Sequence, residues 1–470
     1  MPPTPTTVPW PDDPAEPAAV GEAMYALVAD LYPICRSITG DGFRETIRRL
    51  GQLVPLRSTE VPTGTPVLDW TIPREWNIRD AWVADAAGRR VIDFRRSNLH
   101  VVNYSVPVRR RLSLAELRPH LHALPDHPDW IPYRTSYYAE SWGFCLSQRA
   151  LDALPEGEYE VCIDSTLENG SLTYAECVLP GQEDGEVLLS CHSCHPSLAN
   201  DNLSGMALGV ALARDLATRP RRRWTYRLLF LPGTIGAIAW LARNEDAARR
   251  VRHGLVLSGV GDPGPLTYKR SRRGAAVIDR GVEHVLRHAG SRGGVLDFLP
   301  YGYDERQYCS PGFDLPVGCF MRTPNGRYPQ YHTSADDLDL VAPAHLADSF
   351  ARLREVVEIL EHDRAYVNLS PRGEPQLGRR GLYRATGGTD LPERELALLW
   401  VLNQSDGGHS LLEIAERAGM PFAAIRAVAD ELTAAGLLRP AGDHASPGPR
   451  TDAPAGGIES ARSESRGERS

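Results

Sequence analysis

Between about Gly157 and Leu360, short apolar β-rich runs alternate with stretches of helical periodicity, which restricts this part of the chain to a sheet flanked by helices. The expected order is strand Tyr159 to Ile163, strand Glu186 to Ser190, a helix from Leu203, strand Tyr226 to Leu231 and a helix from Ile235. Strand Gly254 to Val260, a helix from Val282, strand Val317 to Phe320 and a long helix from Pro343 to Leu360 follow. Ahead of this region, Val20 to Tyr32 carries Met24, Leu27, Val28 and Leu31 at helical spacing, and Phe43 to Leu50 repeats the pattern after Gly40-Asp41-Gly42. From about Val67 to Val108 the texture changes to short strands such as Ala81 to Ala84 and Val91 to Phe94, bounded by Gly and Pro, as in a small all-β unit set into the main domain.

The strand ending at Leu189-Ser190 runs into Cys191-His192-Ser193-Cys194-His195-Pro196-Ser197-Leu198-Ala199-Asn200-Asp201-Asn202-Leu203-Ser204-Gly205, a turn dense in metal-capable side chains. In open α/β sheets, sites form in the crevice beyond the carboxyl ends of strands. One histidine beside a cysteine is as readily a packed core residue as a ligand, but His192, His195 and Asp201 in a single turn exceed what packing needs. A second polar loop, Tyr328 to Asp337, presents His332, with Asp336 and Asp337 expected to accept from its other ring nitrogen.

At 470 residues the chain is long for one domain and predicts two or three. A net charge of −8 argues against a nucleic acid or an anionic membrane as the main surface partner. No run approaches the roughly 20 apolar residues of a membrane span, and the Pro-rich start lacks a secretory pattern, so a cytoplasmic location is expected. The eight cysteines are scattered, without disulfide-framework spacing, and Cys191-His192-Ser193-Cys194 has no second pair at zinc-ribbon distance. Cys194 between two histidines is a minor candidate nucleophile. Serine-hydrolase, phosphate-loop and dinucleotide-binding signatures are absent from the sequence.

After Asn368, the apolar helical run Leu396 to Leu402 precedes short amphipathic helices at Leu411 to Ala418 and Phe422 to Ala434, separated by Gly419-Met420-Pro421. A winged helix-turn-helix fits that spacing. Its arginines Arg417, Arg426 and Arg439 are offset by Glu413, Glu416, Asp430 and Glu431, which argues for a structural or protein-contact role over DNA reading. The segment from Ala445 has the composition of a disordered tail.

Over roughly Ala18 to Leu438 the chain resembles bacterial proteins of the DUF4910 and DUF2172 type, which join an aminopeptidase-like, M28-type zinc-exopeptidase core to an inserted jelly-roll-like β domain and a C-terminal winged helix. The matching segments are Leu31 to Gly40, His192 to Gly205, Pro232 to Ala237, Gly261 to Gly264, Asp304 to Gly312 and Tyr331 to Asp336, in the chain order of the zinc-exopeptidase site. The resemblance implies an α/β fold with a three-layer, phosphorylase/hydrolase-like core over residues 16–65 and 120–368. It also implies a β insertion over 66–119, a winged helix over 375–442, and flexible tails at 1–15 and 443–470. His192 and His332 look like histidine ligands of zinc and Asp201 like the carboxylate that bridges two ions. Two ions about 3.5 to 4 Å apart would polarise a carbonyl and activate water. Asp304 is similar in position to an acidic residue that helps hold the substrate end, and Asn202 and Tyr331, beside the ligands, are expected to touch substrate.

The chain departs from the family pattern at Gly233-Thr234, where ordinary members carry a Glu-Glu pair supplying general base and ligand. Ser258 stands near the place of a ligand aspartate, with Asp262 a few residues on as a substitute. Glu305 could act as base or third ligand, or His195 could take the open ligand place; the plain reading of Asp304-Glu305 is a solvated loop anchored by Arg306. The expected function is a hydrolase with one or two zinc ions, an aminopeptidase acting on a small peptide or aminoacylated metabolite and compatible with a homo-oligomer. The alternatives are a binding or scaffold protein on a peptidase fold, with one metal or none, and a biosynthetic deacylase or cyclase.

Overall fold

A computed structural model of the chain describes residues 10–11, 16–290, 293–382 and 393–442. The expected C-terminal tail from 443, and most of the expected N-terminal tail, lie outside them. The chain divides into units at 1–362 and 363–470.

The first unit is built on an eight-stranded mixed sheet in the order Arg57–Pro62, Ser171–Leu179, Thr225–Leu231, Glu186–His192, Val251–Leu257, Val317–Met321, Thr267–Lys269, Val295–Leu296. The four strands from Thr225–Leu231 through Val317–Met321 run parallel, and antiparallel pairings flank them on both sides. Glu186–His192 is buried along its whole length, as a central parallel strand covered on both faces must be. Leu188 and Leu189 each contribute about 2 kcal/mol by that burial. Even its one charge, Glu186, is matched, by Arg227 at 2.7 Å and Arg250 at 2.8 Å.

Helices Pro17–Leu31, Gly205–Thr218, Val277–His288 and Pro343–His362 form one layer, and Ile235–Arg243 with Glu305–Tyr308 packs on the other face. The three-layer α/β core is thus as expected. The helix after the histidine-rich turn begins at Gly205, where a Cβ would run into the Leu257 carbonyl and the Asn202 side chain. Only glycine lets the helix approach the sheet that closely.

The inserted unit has a four-stranded antiparallel sheet in the order Arg90–Asp93, Glu75–Ala84, Glu158–Glu168, Val108–Ser113. It is smaller than the eight strands of a full jelly roll. Its central strand Glu158–Glu168 was expected in the core, with the insertion ending at 119. The strand alternates buried and half-buried positions over much of its length and pairs with Glu75–Ala84 and Val108–Ser113, and so joins the insertion instead.

The second unit packs helices Glu393–Gln404, Leu411–Ala418 and Phe422–Ala434 with a three-stranded antiparallel sheet in the order Asp406–Ser410, Ala365–Asn368, Leu438–Pro440. Ser410 and Glu413 form a capping box, and Gly419, at φ 65°, ends the helix before the turn. Ala365–Asn368, expected at the end of the core, supplies the middle strand, so this unit starts about ten residues before the predicted 375.

Candidate metal centre

His192 is the last residue of the central strand, and Asp201 lies in the irregular helical turn Ala199–Ser204 that follows. His192 Nε2 is 2.7 Å from Asp201 Oδ1, and His332 Nε2 is 3.0 Å from Asp201 Oδ2. The potential ligand atoms of His192, His195 and Asp201 all lie within 4.8 Å of one another. The His195 and His332 ring centroids are 5.2 Å apart. Four of the predicted ligands therefore converge on one point.

Backbone anchoring holds them there. Asp336 accepts from the amides of Asn200 at 2.6 Å and Asp201 at 3.0 Å, fixing the turn. Arg36, fully buried in the Leu31 to Gly40 segment, donates to the carbonyls of His195 at 2.9 Å and Leu31 at 2.7 Å. The Tyr133 amide donates to the His332 carbonyl at 2.8 Å.

Burial opposes ionisation of Asp201, but the surrounding His195, His192 and His332 imidazoles outweigh it and keep the carboxyl well below its ordinary value. Burial lowers the His195 pKa to about 3; Asp201 opposes the shift, and His192, His332 and Arg36 add to it. At neutral pH the centre therefore offers a carboxylate and an uncharged imidazole, the forms that bind metal. His332 Nε2 is buried and, although 3.0 Å from Asp201 Oδ2, is in no hydrogen bond among the described residues. Three imidazoles gathered around one carboxylate fit a zinc ion.

Tyr303 is the residue the sequence did not reveal. Its ring stacks on His192 at 3.8 Å and 10°, and its hydroxyl reaches Asp201 Oδ2 at 3.0 Å, Tyr331 at 3.3 Å and His195 Nε2 at 3.4 Å. A Cβ at Gly233 would lie 3.1 Å from His192 Cβ and 3.6 Å from Tyr303 Cδ1. The ring thus stands against the position where the family pattern has the first glutamate. The only signal in the sequence was adjacency to Asp304, and nothing in spacing predicts a stacked ring.

A family described as a domain of unknown function, DUF4910, matches residues 25–363, and one described as a winged helix-turn-helix matches 364–440. A Clostridium acetobutylicum protein, assigned by name alone to polysaccharide biosynthesis and carrying an aminopeptidase-like domain, is 50% identical over 420 residues, 89% of this chain and 96% of that protein. The chain belongs to the DUF4910 family. The crystal structure of a peptidase so named provisionally, also from Clostridium acetobutylicum, covers 90% of this chain and 97% of its own at 48% identity and TM-score 0.87. A zinc aminopeptidase from Bacillus subtilis aligns at 11% identity and TM-score 0.55, over 75% of this chain and 96% of that one. An M28 peptidase precursor from Shewanella amazonensis aligns at 13% and 0.51, over 74% and 97%. These two show that the DUF4910 core has the aminopeptidase fold.

Several expected roles do not survive in this DUF4910 protein. Asp262 accepts from Gly264 N at 2.8 Å, Thr323 Oγ1 at 2.5 Å, Thr323 N at 3.2 Å and Asn200 Nδ2 at 3.1 Å, so its oxygens brace loops and do not join the metal cluster. Glu305 is fully buried in an ion pair with Lys269 and is neither a free base nor part of a solvated loop. The same Lys269 Nζ donates to the Leu299 carbonyl at 3.3 Å and the Tyr301 carbonyl at 2.8 Å, tying down the segment that carries Tyr303.

Asp304 is completely buried, and both carboxyl oxygens lack hydrogen-bond partners among the described residues. Burial, with Glu305 adding, pushes its pKa well above its ordinary value, and its complete burial means that it is not an exposed substrate anchor. Asn202 is buried as well. It donates to the carbonyls of Leu257 at 2.9 Å and His192 at 3.2 Å and accepts from Gly259 N at 3.1 Å, positioning His192 in place of substrate. Asp336 serves backbone amides, and Asp337 accepts from the Asp339 amide, so neither is the expected partner of the His332 ring. Burial pushes the Cys194 thiol up to about 12, which disqualifies it as a nucleophile. Tyr331 stacks on His332 at 4.0 Å, at the edge of the centre. No helix among the described residues is long and apolar enough to cross a membrane.

Proposed function

We propose that this chain is a zinc-dependent amide hydrolase of the aminopeptidase type, using one metal ion and acting on a small aminoacylated or N-acylated metabolite. The convergence of His192, His195, Asp201 and His332 carries the reading. A zinc ion held by these side chains would supply Lewis acidity toward an amide carbonyl. One ion is favoured because Gly233, Thr234 and Ser258 offer no strong ligand for a second and Asp262 is engaged elsewhere. His332 is the member of the set with solvent access, its side chain 35% exposed, so substrate approaches from its loop, past Tyr331. Burial, with Asp201 and Tyr331 adding, raises the Tyr303 pKa well above its ordinary value, which keeps its hydroxyl a proton donor toward an oxygen at the centre. The name of the clostridial relative favours a sugar-linked amide over a free peptide as the substrate.

A second reading, ligand binding without cleavage, is favoured by the ion pairing of Glu305 and the absence of a carboxylate at positions 233 and 234. Metal content by inductively coupled plasma mass spectrometry, with hydrolysis assays on aminoacyl anilides and N-acyl amino sugars, separates the two. One zinc per chain, lost in Asp201→Asn together with turnover, supports the hydrolase. Zinc binding without turnover of either substrate class supports the binding protein, and a chain that takes up no zinc overturns the metal centre.

A further inference from the structure

Helix Glu393–Gln404 of the second unit is apolar on more than the face that packs. Ala397, Leu398 and Val401 are fully buried, whereas Leu399 and Trp400 are half-buried and Leu396 is 38% exposed. With Asn403, these last three follow helical spacing and line one side of a cavity of about 680 Å³. The other side is the segment from Asn368 to Pro375, where Pro371 and Pro375 stiffen the backbone. Hydrogen bonds tie the two sides together: Asn368 N donates to the Ser405 carbonyl at 2.7 Å, and Asn368 Nδ2 to the Leu402 carbonyl at 2.8 Å. The cavity is therefore built into the fold of this unit. Ser405, which also lines it, is 3% exposed, and its Oγ has no partner among the described residues. Two carboxylates, Glu374 and Asp406, are the only charged groups among the described residues of the lining; Arg372, next to Pro371 in the chain, is not part of it. Gly408 N at 2.8 Å and His409 Nδ1 at 2.9 Å fix Asp406 through its Oδ1, which leaves Oδ2 for a further donor.

We infer that this cavity binds a small organic cation, a molecule with an aromatic or apolar body and a protonated amine. Its volume is that of a small-molecule site, and so is its make-up, apolar walls with a few placed polar groups. The leucines and prolines take the body. The Trp400 ring attracts an ammonium held against it, and the two carboxylates match its charge. An anion, a nucleic-acid phosphate included, would meet the opposite field, and a neutral apolar molecule would gain nothing from the carboxylates. The inference stands apart from the hydrolase reading, because none of these residues belongs to the metal centre.

The test compares two probes that differ in the sign of one charge. Isothermal titration calorimetry on the full chain uses tryptamine and, as its charge-reversed counterpart, indole-3-propionate. Tryptamine should bind wild type and Asp201→Asn alike, at least about tenfold more tightly than indole-3-propionate. Glu374→Gln combined with Asp406→Asn should remove that preference, and Trp400→Ala should weaken tryptamine about tenfold, with Trp400→Phe keeping most of the affinity. Equal affinity for the two probes, no binding of tryptamine to wild type, or binding unchanged in Trp400→Ala would each overturn the site. Loss of tryptamine binding in Asp201→Asn would overturn it by placing the amine at the metal centre. A dimer in sedimentation velocity that depends on Trp400 and that tryptamine does not disperse would overturn it by giving this face to a second copy of the chain.

Discussion

Tyr303 lies flat on His192, with ring centroids 3.8 Å apart, planes within 10°, and its hydroxyl 3.0 Å from Asp201. One side chain thereby orients one proposed ligand, donates to another and stands against the position where the family pattern has a glutamate. In Tyr303→Phe the stack stays and the donor goes: zinc content should hold near wild type while turnover falls about 100-fold, the typical loss for one oxyanion donor. Tyr303→Ala should lower zinc affinity as well. Metal analysis beside single-turnover kinetics distinguishes these outcomes, and equal zinc loss in both variants would make the hydroxyl a structural group.

Glu305 and Lys269 form a buried pair, at 1% and 8% side-chain exposure. Glu305→Gln or Lys269→Met alone should cost about 3 to 5 kcal/mol, because the remaining charge is stranded, and the double variant should cost less than the sum. Urea denaturation of the three variants measures this. The acid limb of the activity profile should keep its position in Glu305→Gln, whereas a general base at Glu305 would take that limb with it.

How much of the site could be read from the sequence follows from what each residue's role depends on. His192 and Asp201 stand in a dense turn at the end of an apolar strand, so chain order alone places them at a sheet crevice, and the His332 loop resembles the family's last ligand segment. Asp262 and Glu305 carry the right chemistry but are spent on partners brought in by the fold, Thr323 and Lys269. Residue type records what a carboxylate can do, not which distant donor has already claimed it. The misplaced strands have a similar cause. The run from Tyr159 to Ile163 reads locally as strand and Ala365–Asn368 carries little local signal, while membership of a sheet is settled by pairing across long sequence separations.

Asp336 touches no predicted ligand side chain, yet its two oxygens accept from the amides of Asn200 and Asp201. Asparagine keeps one acceptor and turns an N–H toward the other amide. Asp336→Asn should therefore weaken zinc binding 10- to 100-fold, as loss of an outer-shell partner does, with the fold intact by circular dichroism. Competition titration against a chelator measures the shift, and an unchanged affinity would show that the turn is held by packing alone.

His253 lies on the parallel strand Val251–Leu257 beside Glu186–His192, 9% exposed, with its ring edge-on to Trp224 at 5.4 Å and its Nδ1 lacking a partner among the described residues. Burial, with Arg223 and Arg252 adding, lowers its pKa from 6.5 to about 3. The unfolded chain therefore takes up a proton at His253 before the native one does. Its contribution to stability is complete above pH 6.5 and drains away as the pH falls from there toward 3, at up to ~1.4 kcal/mol per pH unit. His253→Phe keeps a ring against Trp224 and removes the titration. Unfolding free energies from urea titrations at pH 7.5 should differ little between the two proteins, while at pH 4.5 the variant should be the more stable by about 3 kcal/mol. Parallel loss of stability in both proteins over that range would assign the acid sensitivity to the carboxylates instead.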